Sequence, residues 1–168
     1  ENRIADTVVL QTVMRSDNLF ITTTLFIIAG LISSLGAVER VQAMVSGIGF
    51  IAVSSRETLE VRLLVLIGIF VFAFFKFTWS LRQFNMLSLL VGAAPPPGEG
   101  TEEYVQRFAK INALSGDEFN RGVRAYYFGL AAVFWFVDPW IFSAITTLIV
   151  AVLYRRDFRS KTLAAMQP

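Results

Sequence analysis

The chain has 168 residues, 55% of them hydrophobic and 17% charged, with a mean hydropathy of +0.59, a balance that argues for a membrane protein over an ordinary soluble domain. It contains neither cysteine nor histidine, which excludes disulfides, thiolate nucleophiles, His-ligated haem or zinc, and Ser-His or Cys-His dyads. A formal net charge of +2 is too small to indicate nucleic acid, and no cofactor or metal is expected.

The chain opens on Glu1 rather than Met, so an upstream segment is expected, and no signal-peptide pattern surrounds Arg3 and Arg15. Leu19 to Val38 carries no formal charge. At about 1.5 Å per residue a helix over 19–38 covers roughly 30 Å, the thickness of the hydrocarbon layer, and reads as the first span. Segment 41–53 places Val41, Met44, Val45, Ile48 and Ile51 at helical spacing but is too short to cross, so it is expected to lie on the membrane or fold back. A second span is predicted over 63–81, interrupted only by Lys76.

The prolines at 95, 96 and 97, set among Gly92, Gly98 and Gly100, stop any helix and mark a linker. Beyond it, Tyr104, Val105, Phe108, Ile111 and Leu114 oppose Glu102, Glu103, Gln106, Arg107 and Lys110, so the segment 92–115 is read as a cytoplasmic linker and an amphipathic surface helix. Ser115-Gly116-Asp117-Glu118 fits a capping box that would start a new helix, with Asp117 and Arg121 as a favourable i,i+4 pair. The third span is predicted over 121–137. Asp138-Pro139 ends it, with Asp138 as turn and cap residue and Pro139 opening the fourth span, 139–154. Trp135 and Trp140 bracket that turn as an interfacial aromatic belt would. The fold class is therefore all-α, a single polytopic membrane domain with four transmembrane helices plus interfacial amphipathic helices.

Orientation follows from the short-loop basic residues, because translocating Lys and Arg is disfavoured. The N-terminal stretch, the central loop, the tail and Lys76 hold 12 of the 15 basic residues, and the first outer loop holds Arg40, Arg56 and Arg62. Both ends and the central loop are expected to be cytoplasmic.

Four stretches resemble a known family: Lys76-Phe77-Thr78-Trp79-Ser80-Leu81-Arg82-Gln83-Phe84-Asn85, Gly92-Ala93-Ala94-Pro95, Phe119-Asn120-Arg121-Gly122-Val123-Arg124-Ala125-Tyr126-Tyr127-Phe128, and Leu153-Tyr154-Arg155-Arg156-Asp157-Phe158-Arg159-Ser160. Together they are similar to domain-of-unknown-function family 599, multi-span membrane proteins of bacteria and plants. The resemblance covers essentially the whole chain and implies another apolar segment ahead of Glu1, hence five spans. It brings no reaction or substrate.

Few groups are equipped for chemistry. Lys76 sits inside an apolar run, where charge is costly, and the favoured reading is that it snorkels to the interface or meets lipid phosphate. The alternatives are an internal ion pair with Glu102, Glu103, Asp117 or Asp157, and a transport role. Lys76, Arg82, Arg121, Arg124, Arg155, Arg156 and Arg159 are expected to form one positive patch for anionic lipid headgroups, or a specific pocket for a phosphorylated lipid or anionic partner tail. Thr22, Thr23, Thr24, Ser33 and Ser34 are expected to bond helix carbonyls or a neighbouring helix.

Gly30 with Ser34, and Ala125 with Gly129, are four apart and allow close helix packing, within the chain or between copies. A homo-oligomer is preferred. Glu99, Glu102, Glu103, Asp117 and Glu118 could hold Mg²⁺ but match no lipid phosphotransferase signature, and no catalytic residue is assigned. The leading function is a non-enzymatic structural or accessory membrane protein that assembles with itself or a larger complex. A channel or transporter subunit and a lipid-handling enzyme are the alternatives.

Overall fold

The computed structural model describes residues 2–47, 55–95 and 100–158, and every regular element among them is helical. Helix α1 is Asn2–Gly36, α2 Val38–Ser46, α3 Arg56–Gly92, α4 Glu102–Val133 and α5 Pro139–Phe158, with a 3₁₀ turn over Phe134–Phe136. Two helices, α1 from Thr7 to Gly36 and α3, are long and apolar enough to cross a membrane. The chain divides into two compact units, one made of Glu1–Gly30 and Gly68–Tyr126, the other of Leu31–Ile67 and Tyr127–Pro168.

The first unit packs α1, α3 and α4 along seams with alternating spacings of three and four. On α3 the buried positions are Phe70, Ala73, Phe77, Ser80, Phe84, Leu87 and Val91. The matching seams are Leu10, Met14, Asp17, Ile21 and Thr24 on α1, and Phe108, Ile111, Ser115, Glu118, Gly122 and Ala125 on α4. This 3.5-residue period lets side chains of one helix enter the gaps of the next. One apolar layer joins Leu10, Val13, Met14, Phe84, Leu87, Val91, Phe108 and Ile111. Another joins Phe20, Ile21, Ala73, Phe77, Phe119, Val123, Ala125 and Tyr126.

In the second unit Val38, Leu59 and Leu63 are buried against Leu31, Leu35 and Phe136. Asp138 Oδ1 accepts hydrogen bonds from the amides of Trp140 at 2.7 Å and Ile141 at 3.1 Å, so the expected cap at the start of α5 is present, with Pro139 as its first residue.

The helices run beyond the expected segments at two places, and one expected helix start is overturned. Helix α1 includes Arg15 and Asp17 and stops at Gly36, two residues before the anticipated end at Val38, because Ala37 forms a turn into α2. The second span lies within a helix of 37 residues that starts at Arg56. Ser115 does not cap a helix: α4 runs unbroken through it, and its hydroxyl donates to the Ile111 carbonyl at 2.8 Å. The local capping preference loses because continuing the helix places Ile111, Ser115, Glu118 and Gly122 on one seam. Within 41–53, α2 covers the beginning as far as Ser46, and residues 48–54 lie outside those described.

Candidate functional site

Between the two apolar layers of the first unit lies a polar one. Asp17 follows Met14 and precedes Ile21 on its seam, Ser80 sits between Phe77 and Phe84, and Ser115 between Ile111 and Phe119. All three residues are 0% exposed. The Ser80 hydroxyl is 2.9 Å from Asp17 Oδ2 and 3.0 Å from the Ser115 carbonyl oxygen, so one hydroxyl proton faces two acceptors. Asp17 Oδ1 is buried without a hydrogen-bond partner among the described residues. Burying a carboxylate costs several kcal/mol unless its oxygens are satisfied, which makes Asp17 the most demanding group of the unit. Such a group is equipped to hold a proton, a water or a small cation, and equally to fix helix register within an apolar seam. No cluster of three carboxylates that could bind a metal exists among the described residues.

One turn before Ser80, Lys76 Nζ donates to Glu118 Oε2 at 2.7 Å, and both side chains are mostly buried. The Lys76 ammonium also lies 5.5 Å from the Phe72 ring centre, and the pair opens onto a cavity of about 190 Å³ lined with Phe75 and Trp79. This replaces the snorkelling reading. Among the partners anticipated for an internal pair, Glu118 is absent because the capping box assigned its carboxylate elsewhere; with α4 continuous, that carboxylate is released toward α3.

Further along, the Thr24 hydroxyl is 2.7 Å from the Tyr126 hydroxyl and also donates to the Phe20 carbonyl, as expected for a helix threonine. Phe20 stacks on Phe77 at 4.9 Å, and Phe119 and Tyr126 meet both rings edge-on. Gly122 admits this cluster: a Cβ there would fall 2.6 to 2.9 Å from three Phe77 ring atoms. Sequence reading missed it.

The basic residues meet different fates. Arg121 pairs with Asp117 one turn away at 2.8 Å, as expected from their spacing, and Arg82 lies 5.5 Å from the Trp79 ring centre. Arg124 is half-buried, Arg155 and Arg156 are exposed, and Arg159 is outside the described residues. Lys76 and Arg121 are thus neutralised by neighbours on the same turn of α4. Arg156 borders an apolar groove of about 220 Å³ formed by Tyr127, Leu148, Ile149, Val152 and Leu153. Of the small residues, Ala125 is packed against Phe77 and Ala73, and Gly129 is buried. Ser34 is half-buried, and Gly30 is exposed, with open space where a Cβ would stand.

A second residue missed by sequence reading is Arg62, counted there only as a loop charge. It is 8% exposed, its guanidinium lies 5.4 Å from the Trp135 ring centre and 6.0 Å from that of Phe136, and its Nε is buried without a partner among the described residues. Cation–π contact contributes about 0.5 to 2 kcal/mol, less than the several kcal/mol that desolvating an ion costs.

No curated protein and no solved structure matches this chain. A family model described as "Protein of unknown function, DUF599" matches residues 1–162, and the chain belongs to that family.

Proposed function

We propose that the chain is an integral membrane protein with four crossings, formed by α1, α3, the second half of α4, and α5, and with both ends and the central linker in the cytoplasm. One observation carries the reading: only 6% of the most apolar stretch of α1 is buried inside the chain. Phe26, Phe72, Phe75, Leu130, Leu148 and Trp140 are likewise exposed, a greasy outer surface that water would not tolerate and lipid or another helix would. Its role is structural or accessory, in a homo-oligomer or a larger membrane assembly, with anionic headgroups at Arg82 and Arg124 of the first unit and, separately, at Arg155 and Arg156 of the second. The Arg156 groove suits an acyl chain beside a cation.

Because the chain has no native cysteine, single cysteines give a clean topology test. A membrane-impermeant maleimide added to intact cells should label Arg40→Cys and leave Arg107→Cys unlabelled until the membrane is opened. The reverse pattern, or a chain that stays dispersed in buffer without detergent, overturns the proposal. Native mass spectrometry in mild detergent then tests assembly, and monomer alone rejects the homo-oligomer.

A second reading, a channel or transporter subunit, is favoured by one specific feature. A buried carboxylate is equipped to hold a proton or a small cation, and Asp17 keeps one oxygen without a partner among the described residues of its three-helix seam. Flux through reconstituted vesicles that Asp17→Asn abolishes would establish it over the accessory role.

A further inference from the structure

We propose that Arg62 holds an oxyanion of the phosphate class. A guanidinium keeps its charge in any protein environment, so burial cannot be relieved by losing a proton. Arg62 is more than nine-tenths buried, rests against Trp135 and Phe136, and makes no ion pair or hydrogen bond with the described residues. In sequence, residues 48–54, which precede α3, include no Asp or Glu.

Two ring faces offset only part of the lost hydration, and the remaining demand is for a negative charge. With Nε closed off, that charge must approach the two terminal nitrogens, whose parallel N–H groups match two oxygens of a phosphate. Arg62 stands six residues into α3, about 9 Å along its axis, and the nearby Trp135 is of the type that settles at headgroup depth. A phospholipid headgroup and free phosphate share this chemistry. The demand for a counter-ion exists whichever way the chain is threaded.

The test uses the full chain, delipidated in mild detergent, as wild type, Arg62→Lys and Arg62→Gln. One arm is titrated with a short-chain phosphatidylglycerol, the other with inorganic phosphate, and bound species are counted by native mass spectrometry. Wild type should retain one phosphate-bearing species, and Arg62→Lys, which keeps the charge but loses the fork, should bind it at least tenfold more weakly. Binding in the first arm only identifies a headgroup site, and binding in the second identifies free phosphate. Absence of binding by wild type in both arms, or unchanged affinity in Arg62→Lys, overturns the proposal. Arg62→Gln should abolish binding, and if it fails to fold, the lysine variant decides alone.

Discussion

Lys76 on α3 and Glu118 on α4 form an ion pair at 2.7 Å, 42 residues apart in sequence, with side chains 23% and 15% exposed. Each is tolerable there because of the other. Lys76→Met strands Glu118 as an uncompensated, mostly buried carboxylate, which costs about 3 kcal/mol or more in a dry interior and on the order of 2 kcal/mol here after partial screening. Lys76→Met with Glu118→Leu should recover most of that loss, since an apolar pair has no charge to desolvate. Thermal unfolding in detergent reads both. A single variant as stable as wild type would show that the pair does not hold α3 against α4.

Asp17→Asn should leave the fold intact and raise its stability, by on the order of 1 kcal/mol, because the amide removes a buried charge while keeping shape. Its NH₂ can donate to Ser80 Oγ, and the Ser80 hydroxyl is then left to donate to the Ser115 carbonyl, relieving the shared proton. Asp17→Leu keeps no such bond and should be less stable than Asp17→Asn. If Asp17→Asn instead lowers the melting temperature, the carboxylate has a favourable partner that this geometry lacks.

Local features were legible in the chain and long-range ones were not. The Asp138 cap, the Pro139 helix start and the Asp117–Arg121 pair depend on residues within four positions of each other, and all are present. The seam of α3 was hidden because its outer face is as apolar as its inner one: Phe75 is 63% exposed and Phe77, two residues on, is 0%. Hydropathy cannot separate a surface for lipid from one for protein when both are phenylalanine. The visible signal was polar or small residues on one helix face, Asp17 and Thr24 seven apart and Ser115, Glu118 and Gly122 at intervals of three and four, each a strange choice for lipid and a sensible one for a packed interface. Ser115 misled because a local capping rule was applied where burial against Ser80 decides. Arg62 carried no local sign, since the rings that cover it are more than 70 residues away.

Asp138→Ala should weaken the start of α5 by about 1 kcal/mol, because the amides of Trp140 and Ile141 lose their common acceptor. Asp138→Asn should retain most of the effect, as a side-chain oxygen remains. Hydrogen exchange at the first turn of α5 separates these outcomes from global unfolding. Equal protection in wild type and the alanine variant would assign the helix start to Pro139 alone.

Gly122→Ala is expected to be among the most damaging single-methyl changes in the first unit. The new Cβ would meet the Phe77 ring at 2.6 to 2.9 Å, and that ring is fully buried and held between Phe20, Phe119 and Tyr126. A ring fixed on several sides cannot swing away, so α4 must retreat from α3 or the cluster must repack, at about 1 to 3 kcal/mol. Removing the obstacle is the check. Phe77→Leu alone leaves a cavity and destabilises, but Gly122→Ala with Phe77→Leu should lose less than the two single losses added together, since the added methyl takes up space the ring vacated. Strictly additive losses in thermal unfolding would show that Gly122 matters through backbone freedom and not through its approach to Phe77.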